Sequence, residues 1–191
     1  MADPVLDLQG YVNDMLAVEN EFHATFRRQR DDDKIRQHED AHQLIARAED
    51  IFDRHLISLK DCLQRLGGTE SIVKKAVGGV LGVAAGIYNK VRSEETASRA
   101  LRDDYAALCF GTVCYEMLHT TALAMNDAPT AELALRHLKD FPPLIMEISN
   151  IMPSVLVQEL TEESKVRPDA SVAANAVRNT RAAWADASVV H

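Results

Sequence analysis

The chain is predicted to fold as an all-α four-helix bundle, on three observations. Long segments repeat apolar residues at alternating steps of three and four, the period of a helix that buries one face. Glycine and proline fall mostly between these segments. No segment alternates with period two for long enough to make a strand. Of 191 residues, 47% are apolar and 5% aromatic. The core must therefore be built chiefly from Leu, Ile, Val, Ala and Met.

The first long helix, A, is expected from Pro4 to Arg30, with Asp3 as its cap and Pro4 in its first turn. The polar run 30–34 makes a short turn. Helix B is expected from Asp33 to Leu66, stopped by Gly67-Gly68. A shorter helix follows Thr69, within TESIVKKAVGGVLGVAAGIYNKV. Helix C starts near Ser93, where SEET resembles a capping motif, and ends near Asn126-Asp127. Helix D runs from Pro129 to Leu160, kinked at Pro142-Pro143. Residues 161–191 form a tail in which VAANAVRNTRAAWADA makes one more helix, docked through Trp184. Two helix pairs joined by a long connection describe a bundle with one crossover, the ferritin-like arrangement, over residues 1–160.

Composition excludes several function classes. The net charge of −8 supplies no basic stripe for nucleic acid. Three cysteines, Cys62, Cys109 and Cys114, make no disulfide framework and read as reduced thiols. The segment MADPVLD has neither a basic region nor an apolar run, so no secretory signal is expected and a cytoplasmic location is. No window of eighteen residues is apolar throughout.

Each long helix carries an acid on or beside its apolar stripe. Helix A reads Val5, Leu8, Val12, Met15, Glu19, Phe22, Phe26. Helix B reads Ile35, His38, His42, Ile45, Glu49, Phe52, Leu56, Leu59, Leu63, Leu66. Helix C reads Tyr105, Cys109, Thr112, Glu116, His119, Leu123, with Glu116 and His119 in Glu-x-x-His spacing. Helix D reads Leu133, His137, Asp140, Leu144, Ile148, Ile151. A single buried acid is ordinarily hydrogen-bonded to a neighbour. Acids from four helices facing one core repel, and protonation, histidines or cations must relieve them. Two divalent metals do this in di-iron and di-manganese carboxylate bundles. The expected ligands are Glu19, Glu49, Glu116 and His119, with His137 or Asp140 completing the set.

Other motifs read more plainly. HEDAH, residues 38–42, matches the HExxH string, but a zinc protease also needs a third ligand and a cleft. Glu39 and His42 form a further Glu-x-x-His pair, and a solvated polar patch is the plainer reading. Gly78, Gly82 and Gly86 lie in an apolar run, 76–88, too short to span a bilayer. It reads as a crossover helix packed closely on the bundle, and membrane-surface contact is not expected. Tyr105 and Tyr115 read as packing residues that can line a metal cavity. No glycine-rich phosphate loop and no nucleophile elbow is present.

With LAVENEF in helix A, the acid about thirty residues on, the LGG that ends helix B, YEMLH in helix C and HLKD in helix D, the chain resembles the ferritin-like stress proteins of the YciE/YciF type. The resemblance covers roughly residues 5–160. It implies a four-helix bundle, often a homodimer, with a dinuclear iron or manganese site and a stress-related role. Two departures stand out. Glu49 is followed three residues later by Phe52 rather than histidine, and helix D offers only His137-Leu-Lys-Asp140. Two functions follow. One is a dinuclear carboxylate site, whole or degenerate, with redox chemistry on iron or manganese. The other is a metal-free dimeric stress or interaction module whose protein partner is open.

Overall fold

The computed structural model describes residues 4–69, 96–164 and 167–187, and every regular element among them is a helix. Helix α1 is Pro4–Arg30, α2 Asp33–Arg36, α3 Glu39–Arg65, α4 Ala97–Ala124, α5 Ala128–Leu138, α6 Phe141–Glu163 and α7 Val172–Ala187. None is long and apolar enough to cross a membrane. Asp3, the short crossover helix and the 76–88 glycine run lie outside the described residues.

Two expected helices divide. Helix B is interrupted at Gln37-His38, where His38 adopts an extended backbone and caps α3. Its buried ring bonds Gln158 on α6 through Nδ1, at 3.0 Å, which holds the break in place. Helix D is not one kinked rod but two helices. Helix α5 ends at Leu138, and α6 begins at Phe141 with Pro142 and Pro143 in its first turn. A proline there loses no hydrogen bond, because the first N–H groups of a helix have no partner. Further along a continuous helix, the same prolines would each remove one.

Helix ends are closed by their own sequence. Gly67 sits at φ 76 after α3, and the N–H of Gly68 returns to the Leu63 carbonyl at 2.9 Å. Asn126 does the same after α4, at φ 55, with the Asp127 N–H on Ala122 O at 2.9 Å. Both are Schellman closures, which need a left-handed residue. Asp127 then caps α5 through the Thr130 N–H and takes a forked contact from Arg65 on α3.

Cross-helix bonds fix the directions. Glu19 meets His55 and Gln9 meets Leu66, so α1 and α3 are antiparallel. Tyr115 meets His137 and Ser98 meets Glu159, so α4 opposes α5 and α6. Gln29 on α1 meets Asp104 on α4, and His38 meets Gln158, which sets α1 against α4 and α3 against α6. Helices α3 and α4 consequently run parallel, with Thr69 and Thr96 at opposite ends of the bundle. This is an all-α bundle of two helix pairs. Helix α7 packs on α6, and Arg181 bonds Asn150, but Trp184 is 57% exposed and does not anchor it.

The core holds Val12, Leu16, Phe22, Phe26, Leu44, Ile45, Phe52, Leu59, Leu108, Phe141 and Ile148. Rings concentrate at its centre: Phe22–Phe52 centroids are 5.4 Å apart and Phe52–Phe141 5.8 Å. Gly111 lets α4 approach this group. A Cβ there would lie 2.6 Å from a Phe141 ring carbon and 2.8 Å from one of Phe22. Alanine normally favours a helix over glycine by roughly 1 kcal/mol. Overpacking rigid rings costs about 1–3 kcal/mol, so the clash should win. Gly111→Ala is expected to lower the unfolding free energy by up to about 2 kcal/mol in urea titrations, whereas the same change at Gly10, where nothing lies within 4 Å, should not destabilise.

Candidate metal centre

Glu19 lies at the middle of α1 and is 0% exposed. An ionised carboxylate there needs partners, because burial without them costs several kcal/mol. Two helices supply them, and a third supports one of the two. His55 on α3 reaches Oε1 with Nδ1 at 2.9 Å. Tyr115 on α4 donates its hydroxyl to the same oxygen at 2.6 Å. His137 in the last turn of α5 contacts the Tyr115 hydroxyl through Nδ1 at 2.9 Å. The other side of His55 meets Asp140, at 3.0 Å from Nε2 to Oδ2.

Proton positions follow from what each atom can do. Both neighbours of His55 are carboxylate oxygens, which only accept when ionised, so both its nitrogens carry protons. Tyr115 gives its one proton to Glu19, so His137 donates Nδ1–H to the Tyr115 oxygen. Hydrogen bonds thus converge on Glu19 Oε1 from both sides. Its second oxygen, Oε2, is buried with no hydrogen-bond partner.

The electrostatics agree with this assignment. Burial alone would lower the His55 pKa, but the bonds and charges of Glu19 and Asp140 outweigh it and raise it above the ordinary value. Burial raises the Glu19 pKa, and the His55 and Tyr115 bonds pull it only part of the way back. Burial, then the charges of His55 and Arg136, push His137 down to about 2. His137 is 2% exposed and stays neutral. Its ring stacks on the charged His55 ring, with centroids 3.8 Å apart and planes 1° from parallel.

Glu19, His55 and His137 each offer a donor atom, and the three atoms lie within 4.8 Å of one another. All three residues are buried, so the cluster can hold a metal ion. Coordination needs each imidazole lone pair to point at the ion. Two parallel rings cannot both do so, and one must turn out of the stack on binding. It also removes the proton from His55 Nδ1, while Nε2–H can stay on Asp140. That carboxylate is 44% exposed and links the cluster to solvent.

The structure places the six expected ligands differently. Glu19, His137 and Asp140 come together. Glu49 is buried but faces Arg30 at the end of α1, at 2.7 Å, away from the cluster. Glu116 is exposed on the outer side of α4. His119 is half-buried and donates Nδ1–H to the Ala131 carbonyl at 2.8 Å. The buried face of α4 is Leu101, Asp104, Leu108, Gly111, Tyr115, Leu118 and Ala122. The expected seam ran one residue later throughout, a rotation of about 100°. Converging acids from four helices are therefore not what the core contains. His55 was missed outright. It lies on a second stripe of α3 (Ala48, Phe52, His55, Leu59, Cys62), parallel to the one through Leu56. In HEDAH, His38 precedes the first turn of α3, so the two histidines do not share a helical face. All three cysteines are free thiols, and burial raises Cys114 to about 11.

Comparison of the chain with family models, curated proteins and solved structures gives no match.

The neutral, buried His137 sets a pH dependence for the metal-free protein. Below its ordinary value of 6.5 the unfolded chain takes up a proton that the fold refuses. The unfolded state then binds more protons, so stability falls with pH by about 1.4 kcal/mol per unit for this group. His55 works in the opposite sense: its contribution is full below 6.5 and is lost as pH rises through its raised folded value. Urea titrations from about pH 8 down to about pH 5 should show an acid-side decline that His137→Gln flattens. An unchanged slope in the variant would show that His137 already accepts the proton in the fold.

Proposed function

We propose that the bundle binds one transition-metal ion in its core through Glu19, His55 and His137. The observation that carries this is Glu19 Oε2, a buried carboxylate oxygen without a partner beside two buried imidazoles. Two imidazoles and a carboxylate suit iron(II), manganese or zinc. The ferritin-like resemblance narrows the choice to iron or manganese. It also adds a redox role under stress and a homodimeric assembly to the proposal. Asp140 acts from outside by accepting the His55 Nε2–H, which orients the ring as carboxylates do behind metal-bound histidines.

A second metal is not part of this reading. Glu-x-x-His, the repeated element of dinuclear bundles, would put a glutamate three residues before His55. Phe52 stands there instead, its ring 5.4 Å from Phe26 and 5.8 Å from Phe141. Glu49 and Glu116, the other carboxylates expected as ligands, sit elsewhere.

One observation favours a metal-free module. Both His55 nitrogens already have carboxylate partners, and the stacked rings suit a charged and a neutral imidazole. Glu19, His55 and Asp140 are then a buried polar clasp.

Metal content separates the two. After purification without chelator and anaerobic loading with Fe(II), Mn(II) or Zn(II), the wild-type chain should retain one equivalent of metal. Glu19→Gln should lose it, and Asp140→Asn should bind about 10–100-fold more weakly. A wild-type chain that retains none of the three metals, with Glu19→Leu as stable as wild type or more so, sinks the metal reading in favour of the clasp.

A further inference from the structure

We infer that Tyr115 is the fourth donor of the core site, and that the ion it selects is ferric iron held by a phenolate. This rests on the single-metal reading and deepens it. Four donor atoms form a chain: His55 Nδ1 to Glu19 Oε1 at 2.9 Å, Oε1 to Tyr115 Oη at 2.6 Å, and Oη to His137 Nδ1 at 2.9 Å. Two ligands about 2.1 Å from one ion, at right angles, lie about 3.0 Å apart. The steps, hydrogen bonds in the metal-free fold, bring the four donors to about that separation, and one stacked imidazole turns to complete the set. Tyr115 joins the two halves of the set, because its oxygen is the atom that touches both Glu19 and His137.

The phenol oxygen already bonds Glu19 and His137. Tyr115 is fully buried, with His137 edge-on at 5.4 Å, Phe141 at 5.5 Å and His55 at 6.1 Å around its ring. An ion that binds both Glu19 Oε1 and His137 Nδ1 meets the hydroxyl oxygen. The hydroxyl proton lies between Oη and Oε1, where an ion on Glu19 displaces it. What remains is a phenolate, a hard anionic oxygen suited to a trivalent ion.

Charge balance points the same way. Asp140 and Glu19 bring two negative charges, and the phenolate a third. Ferric iron with neutral His55 and His137 makes the whole group neutral: the buried donors, Glu19 and the phenolate, leave one positive charge, which half-exposed Asp140 offsets through the His55 ring. Binding releases two protons to solvent, one from Tyr115 Oη and one from His55 Nδ1. His137 keeps its proton, which moves from Nδ1 to Nε2. No electron is transferred when the ion enters as Fe(III).

The test loads the purified 191-residue chain with Fe(III) citrate and, in parallel, with Co(II), then removes unbound metal. Wild-type protein should retain one iron per chain and show a visible phenolate-to-iron charge-transfer band, with phenolate modes in the resonance Raman spectrum. Tyr115→Phe should lose the band completely while still binding Co(II). If that variant does not fold, a triple variant at Tyr11, Tyr88 and Tyr105, each to Phe, should keep the band and so assign it to Tyr115. Iron-loaded wild type without the band overturns the inference, because Tyr115 then stays a phenol. Co(II) retention without Fe(III) retention also overturns it and leaves the single-metal reading standing. Retention of neither overturns both.

Discussion

A carboxylate at the centre of an apolar bundle is the constraint around which the rest is arranged. Glu19 is inaccessible to water, and its charge has to be met from inside the protein. The counter-charge comes from His55, which would itself lose its proton on burial without a carboxylate on either side. The fold supplies the second carboxylate by dividing the expected helix D into α5 and α6. A continuous helix through 129–160 would not place Asp140 as it does now, at the joint, between solvent and the imidazole. The two prolines at the joint are therefore part of the electrostatics of the core, although both are exposed.

The surroundings of the cluster raise the strength of each of its bonds. Phe52, Phe141 and Tyr115 crowd His55, and Phe22 and Phe26 extend the wall towards the end of α1. In such a medium a satisfied hydrogen bond is stronger than in water, and an unsatisfied atom is correspondingly costly. Glu19 Oε2 is such an atom. Gly111 belongs to the same design: α4 can bring Tyr115 to Glu19 because one turn earlier it has no side chain to hold it off the phenylalanine rings.

The long helices were legible in the sequence where their ends carry local chemistry: glycine after α3, Asn126 and Asp127 after α4, and Pro129 at the start of α5. Pro142-Pro143, by contrast, read as a kink, and the break at Gln37-His38 carries no glycine or proline. Glu19 was legible too, because it interrupts the apolar stripe of α1 at its middle. Helix α4 was read one position out of register for the opposite reason. From Tyr105 to Asn126 its single charged residue is Glu116, so apolarity surrounds most of its circumference and two adjacent stripes look alike. The choice made Glu116 a ligand, and the packing instead exposes Glu116 and buries Tyr115 at the cluster. His55 was hidden by a broad buried face on α3, where Leu56 satisfied the periodicity that His55 also fits. Its partners come from α1 and from the α5–α6 joint, and no spacing within α3 reveals them.

The parallel course of α3 and α4 has one more consequence. The bundle is two successive halves, α1 with α3 and α4 with α5 and α6, each internally local in sequence. Glu19 and His55 belong to the first half; Tyr115, His137 and Asp140 belong to the second. Neither half alone holds a balanced set: the first would bury an acid and a base without their outer partners, and the second a tyrosine bonded to His137 but without the Glu19 acceptor for its proton. Fragment complementation, with the chain divided between Thr69 and Thr96, therefore turns the core cluster into a reporter of association between halves.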